Sequence, residues 1–199
     1  MRINILTPIV AAFLAISSYA GDFSYSPFAS VEVGTSKASF KDGTLSALDY
    51  SSQLSAGIKV GIRDSKSRVY AALHYYKSDA DYKIDANNYI DSKSDRYDLL
   101  ACMEGLSEPF MLTKSLSSIF FIGGHFGGAA ATYDNTVVVG GSGVSKSDTE
   151  FGLAYGAQGG LILEFANRVG LEFGYRYTMT TVKIEESELE YYHTVYGAL

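Results

Sequence analysis

Alternation with a period of two dominates this chain. From Gln53 to Arg63 one set of positions reads Leu54, Ala56, Ile58, Val60 and Ile62; the other reads Gln53, Ser55, Gly57, Lys59, Gly61 and Arg63. From Arg68 to Tyr76, Val69, Ala71, Leu73 and Tyr75 alternate with Arg68, Ala72 and His74. From Arg96 to Glu104, Tyr97, Leu99, Ala101 and Met103 alternate with Arg96, Asp98, Leu100, Cys102 and Glu104. From Val169 to Thr178, Val169, Leu171, Phe173, Tyr175 and Tyr177 alternate with Glu172, Gly174, Arg176 and Thr178. Such a period puts successive side chains on opposite faces of a strand, whereas helical spacing would scatter the same charges around an axis.

Two glycine-rich segments continue the pattern. Phe120, Ile122, Phe126 and Ala130 oppose Phe121, Gly123, His125 and Gly127. Phe151, Leu153, Tyr155, Ala157 and Leu161 oppose Glu150, Gly152, Ala154, Gly156 and Gln158. A first strand over Phe28–Thr35, with Ala29, Val31 and Val33 opposing Ser30 and Glu32, and a last over Leu189–Leu199 bring the predicted total to eight. The predicted links alternate in length. Asp64–Ser67 and Phe165–Arg168 are tight; Ser36–Ser52, Ser78–Asp95 and Tyr133–Thr149 are long and polar; Leu106–Ser115 is intermediate. Short turns at one rim and long polar loops at the other are the arrangement of membrane β-barrels, and the spacing shows no domain boundary or linker.

A soluble sandwich also has one apolar face, so the contents of the two faces decide. On roughly thirty positions of the apolar face there is no charged side chain, as a lipid-facing surface requires. The opposite face holds Lys59, Arg63, Arg68, Arg96 and Arg176 among Asp98, Glu104, Glu150, Glu164 and Glu172. Near balance of sign predicts a lumen filled by a charge network of structural role, in an eight-stranded antiparallel up-and-down transmembrane barrel with just enough interior room for side chains.

The amino terminus sets the expected compartment. Arg2, the apolar run Ile3–Ile16 and the small residues Ser18 and Ala20 read as a secretory signal peptide over residues 1–20, leaving residues 21–199 as the barrel. The single Cys102 excludes an internal disulfide framework, and it is read as an inert small side chain inside the barrel. A net charge of −6 argues against nucleic acid as a partner. Sixteen Tyr and eleven Phe with three Pro fit many uninterrupted strands.

The segment Gly152–Tyr177, GLAYGAQGGLILEFANRVGLEFGYRY, resembles the sixth and seventh strands of small outer-membrane barrel proteins of the opacity-protein and OmpA-transmembrane-domain type. The resemblance implies a multi-pass protein of the outer membrane, in contact with the bilayer, its lipopolysaccharide and the barrel-assembly machinery. It implies surface loops and no catalytic residues. Such chains usually end on an aromatic residue; this one departs from that pattern with Tyr196-Gly197-Ala198-Leu199.

Other candidate chemistry is weaker. Gly123-Gly124, Gly127-Gly128, Gly140-Gly141 and Gly159-Gly160 lack the Lys-Ser or Lys-Thr that follows a phosphate cradle, and read instead as bends or close backbone approaches. His74, His125 and His193 have no metal-ligand spacing. The run Glu185, Glu186, Glu188 and Glu190 reads as a solvated hairpin ahead of a cation site. No cofactor and no metal are expected. The leading expectation is a rigid barrel presenting loops to a host or envelope ligand, for adhesion or envelope integrity. A narrow channel for small solutes comes second, and a lipid-modifying enzyme third.

Overall fold

The computed structural model describes residues 25–40, 52–85, 87–165, 169–182 and 190–199. The expected signal peptide, the Ala166–Arg168 part of one turn and Glu185, Glu186 and Glu188 lie outside them. The chain order is β1 (Ser26–Phe40), β2 (Gln53–Arg63), β3 (Ser67–Asp85), β4 (Asn88–Leu106), β5 (Phe110–Thr113), β6 (Leu116–Val139), β7 (Ser142–Phe165), β8 (Val169–Thr180) and β9 (Glu190–Ala198). Every neighbouring pair is antiparallel. The sheet runs β4-β3-β2-β1-β9-β8-β7-β6, and the β4–β6 pairing closes it into a ring of eight. β5 stands outside the ring count: it prolongs β4 past a break at Glu108-Pro109 and pairs only with the start of β6.

The seam between first and last strands pairs Glu32↔Ala198 through Phe40↔Glu190, and Val31 and Leu199 exchange both backbone hydrogen bonds at 3.0 Å. Where the eight strands overlap, closure leaves no free edge, so the ladders there pair their backbone groups without water; below Leu199, Ser26–Ser30 and Val169–Leu171 have no β9 partner.

The alternation resolves as expected, apolar side chains out and polar ones in. Leu54 is 68% exposed, whereas Arg176 is wholly buried. The outward column Val69, Ala71, Leu73 and Tyr75 is bounded by the Asp64–Ser67 turn below and Lys77 above, a height of roughly 25 Å from Ser67 to Lys77 at ~3.3 Å per residue and ~40° of tilt. An outer-membrane apolar band is about 25 Å tall. Tyr75 and Tyr97, with ring centroids 5.1 Å apart, sit at its upper boundary directly below outward Lys77 and Asp95.

Two expectations about the long links are corrected. Ser78–Asp95 and Tyr133–Thr149 are not open loops. β3 and β4 stay paired to Asp85↔Asn88, β6 and β7 to Val139↔Ser142. β1 likewise runs to Phe40, beyond the expected Thr35. An antiparallel ladder satisfies backbone groups whatever its side chains, so polar residues continue a hairpin whose register the barrel has already set. Gly140 and Gly141, with φ of 60° and 81°, make the tight turn between β6 and β7, a conformation that matches strand twist and strongly favours glycine. Because β4 and β6 also pair up to Tyr89↔Val138, the strands β3-β4-β6-β7 rise together as one four-stranded sheet above the barrel.

Candidate functional site: a charged lumen and a projecting sheet

Inside the barrel, seven side chains from six strands form a closed ring of hydrogen bonds. Arg176 donates to both carboxylate oxygens of Glu32 at 2.8 and 2.9 Å, and its Nε donates to Gln158 at 2.7 Å. Gln158 donates to Glu104 at 2.6 Å, and Arg68 Nε donates to the other oxygen of Glu104. Arg68 Nη1 reaches Glu172 at 2.7 Å; Lys59 bridges Glu172 at 2.8 Å and Glu32 at 2.9 Å, which closes the circuit. Tyr70 donates to Glu104 at 2.5 Å and accepts from Gln158. The Tyr196 ring lies under both Lys59 (4.4 Å) and Arg176 (4.7 Å), so β9 contributes an aromatic face where the ring itself has no β9 member.

The ring holds three cations and three carboxylates. Several kcal/mol of desolvation per ion is offset only when such geometry is good and the remaining lone pairs are filled; here each carboxylate meets at least two donors. Two further pairs flank it. Arg96 and Asp98, both fully buried on β4, make a bidentate contact at 2.6 and 2.7 Å, with Tyr192 stacked 4.1 Å from the guanidinium. Arg63 and Glu164 make a looser bidentate contact at 3.3 and 3.1 Å near the short-turn rim.

Of the expected network, Lys59, Arg68, Glu104, Glu172 and Arg176 are therefore in one ring, Arg96 and Asp98 form a separate pair, and Arg63 pairs with Glu164. Glu150 is not brought to these groups. It is half-buried opposite Ala131 at the base of the projecting sheet. Glu32, Gln158 and Tyr70 are members that the expected network lacks. The parity of β1 and β7 places Glu32 and Gln158 on the polar face, the one signal in the sequence that marks them. His74 Nε2 lies 3.5 Å from Glu32, His125 bonds Thr178 at 3.1 Å, and outward His193 bonds the Tyr175 hydroxyl. Cys102 is buried in the lumen wall.

Inner-face glycines give these side chains room. A Cβ on Gly174 would collide with the Tyr196 ring, so the residue under that aromatic has to be glycine.

At the other end, the projecting sheet is held at its tip by polar groups. Asp85 accepts from Asn87 N at 2.8 Å and Asn88 Nδ2 at 2.9 Å; the Asn88 amide and the Asn87 backbone keep this carboxyl below the usual aspartate range. Gly141 N donates to Asn87 O at 3.1 Å and Gly140 N to Asn88 Oδ1 at 3.0 Å, which ties the two hairpin tips together. Beyond the ends of β2 and β8, β3 and β7 are the outer strands of this sheet.

No protein-family model and no curated protein sequence matches the chain. Solved structures similar to it include Ail, the attachment invasion locus protein of Yersinia pestis, in complex with the heparin analogue sucrose octasulfate: 14% identity over 89% of this chain and 100% of that one, TM-score 0.49. Neisserial surface protein A is similar at 16% identity over 88% and 97%, TM-score 0.46. The N-terminal β-barrel domain of Pseudomonas aeruginosa OprF is similar at 12% identity over 85% and 97%, TM-score 0.29. All three scores lie below 0.5, so a functional assignment has to come from this barrel's own surfaces.

Proposed function

We propose that this protein is an integral outer-membrane barrel that holds a rigid four-stranded sheet outside the cell for contact with a surface ligand. One observation carries the membrane placement. The outward face is free of Asp, Glu, Lys and Arg over a bilayer-sized height on β2, β3, β4, β6, β7 and β8, and below His193 on the shorter β9, while eight charged groups are buried inside and the Arg63–Glu164 pair sits at the rim. A soluble protein with this many large apolar side chains in water would aggregate.

The lumen supports a structural role over a conducting one. Its five cations (Lys59, Arg63, Arg68, Arg96, Arg176) and five anions (Glu32, Asp98, Glu104, Glu164, Glu172) balance, and the ring spans the bore. The projecting strands carry Asp79, Asp81, Asp85, Asp91, Asp95, Asp134 and Asp148 against Lys77, Lys83, Lys93 and Lys146. A sulfated polyanion of the kind bound to Ail would be repelled by such a sheet, so its ligand is basic or neutral. This reading assigns no bond-breaking step to any residue.

Protease treatment of intact Gram-negative cells, with an epitope inserted between Gly140 and Gly141, tests the placement. Loss of the epitope from whole cells, with the barrel retained in the carbonate-washed outer membrane, is expected. A protected epitope, or recovery of the chain in the soluble periplasmic fraction, would refute it.

A further inference from the structure

At the short-turn end the wall carries an unexplained apolar extension. β4 leaves β3 at Ser67↔Gly105 and ends at Leu106, and after the break the chain resumes as β5. Three consecutive residues there face outward from protein contacts: Phe110 (67% exposed), Met111 (59%) and Leu112 (50%). The hairpin is anchored at its root, where Ser107 N donates to Phe120 O at 2.8 Å and Ser107 Oγ accepts from Phe120 N at 2.9 Å. Its register, Phe110↔Ser118, sets Phe110 on the face that carries Phe120 and Ile122 two and four residues further along β6, and Leu112 follows at a register shift between Met111 and Thr113. Below Asp95 the outward positions of β4 carry no charged side chain; exposed Glu108 stands at the break, above Phe110, and Lys114 at the hairpin tip.

We propose that this β5 hairpin is an interfacial wedge that inserts Phe110, Met111 and Leu112 into the headgroup–acyl boundary of the bilayer leaflet at the short-turn end. The inference rests on the membrane placement proposed for the barrel. Along β6 the apolar belt leads through Ile122 and Phe120 to Phe110 of the hairpin, which makes lipid the continuing neighbour, with Glu108 at headgroup level beside it. The hydrocarbon core is about 30 Å thick and the whole bilayer about 40–45 Å. A hairpin projecting below a belt of that height meets headgroups first, and consecutive apolar side chains suit that layer because both faces of a thin ribbon are wetted by lipid. Lys114 at the tip is placed to reach lipid phosphate, as cations flanking a membrane segment do. The wedge lengthens the belt on the β4–β7 side only, so it fixes the depth and tilt of the barrel on that side.

The chain contains no tryptophan, so single substitutions give clean reporters. Phe110→Trp, Leu112→Trp, Phe120→Trp in the belt and Val144→Trp in the projecting sheet would each be refolded in phosphatidylcholine vesicles with lipid brominated at shallow or deep acyl positions. The expected result is blue-shifted emission for Phe110→Trp and Leu112→Trp, at least halved by shallow bromine and less by deep bromine. Phe120→Trp should be quenched and Val144→Trp unaffected. Red-shifted, unquenched emission at 110 and 112 alongside a quenched 120 overturns the wedge while leaving the membrane reading intact. So does blue-shifted emission that ignores bromine and fades with protein dilution, which would mean a second copy covers the hairpin. An unquenched 120 overturns both.

Discussion

Replacing Glu32 by Gln should unbalance the barrel interior while barely changing its volume. The carboxylate of Glu32 receives both arms of Arg176 and the ammonium of Lys59. After Glu32→Gln, the ring keeps its three cations but only two carboxylates. Lys59 retains Glu172 and Arg176 retains Gln158, so the ring is left with one uncompensated positive charge and without the three charge-assisted hydrogen bonds to the Glu32 carboxylate. Removing one partner of a buried pair costs about 3–5 kcal/mol, and the near-total burial of these groups puts Glu32→Gln inside that range. A second substitution, Arg176→Met, restores neutrality, so the double variant should be more stable than the sum of the singles predicts by about 1–3 kcal/mol. Equilibrium urea unfolding in phospholipid vesicles, followed by far-ultraviolet circular dichroism, measures all four proteins. A Glu32→Gln cost below about 1 kcal/mol, with additive singles, would mean that water screens the ring and that the lumen is not plugged.

The same geometry can be checked independently in other ways. In planar bilayers the wild type should give no resolved conductance steps, and Glu32→Gln/Arg176→Met should give no more than the wild type; steady unitary steps from the wild type would favour the channel. Leu73→Lys, outward near the middle of the belt, should cost about 2–4 kcal/mol in vesicle unfolding, whereas Ser145→Lys on the projecting sheet should leave stability unchanged. Gly174→Ala forces a methyl against the Tyr196 ring and should cost about 1–3 kcal/mol; an unchanged midpoint would contradict the packing. Asp64 accepts from the backbone of Lys66 and Ser67, which hold its carboxyl below the ordinary value of 3.8. A folded-state value depressed in this way adds stability that is complete above the unfolded value and is lost as pH falls through the folded one. The acid limb of a stability–pH curve below about 3.8 should therefore flatten in Asp64→Asn.

The faces of this barrel were legible because a period of two needs no long-range information: reading Leu54, Ile58 and Ile62 against Lys59 and Arg63 already separates lipid from lumen. The partnerships inside were not. Arg176 and Glu32 are 144 positions apart, and only the inter-strand register brings them together. Glu150 shares the inward parity of Gln158, yet it sits above the enclosed bore, where parity no longer implies burial. The projecting sheet was hidden for a different reason. Its residues are mostly polar, with Ile90, Val137–Val139 and Val144 outside any sustained alternation, and the period-two signal that marks a strand fades where little of either face is buried. Gly140-Gly141 was its one trace, since adjacent glycines between alternating segments are a hairpin turn before they are anything else.

The charged ring and the bare outer face also depend on each other through register. A slip of one residue in any strand reverses the facing of every side chain on it. For β8 that would put Glu172 and Arg176 into hydrocarbon and Phe173 and Tyr175 into the bore; for β2 it would expose Lys59 to lipid. Each misplaced cation near the bilayer midplane costs about 2–4 kcal/mol, and each also strands its former partner in the lumen. The ring draws on β1, β2, β3, β4, β7 and β8, so it is complete only when β1 has met β9 at Glu32↔Ala198. Partial or shifted barrels leave it open, with uncompensated charge. Burying ions adds little net stability to a correctly closed barrel, but it penalises the mispaired alternatives heavily. That difference accounts for a membrane protein keeping eight ionised groups buried where apolar side chains of similar volume would have fitted.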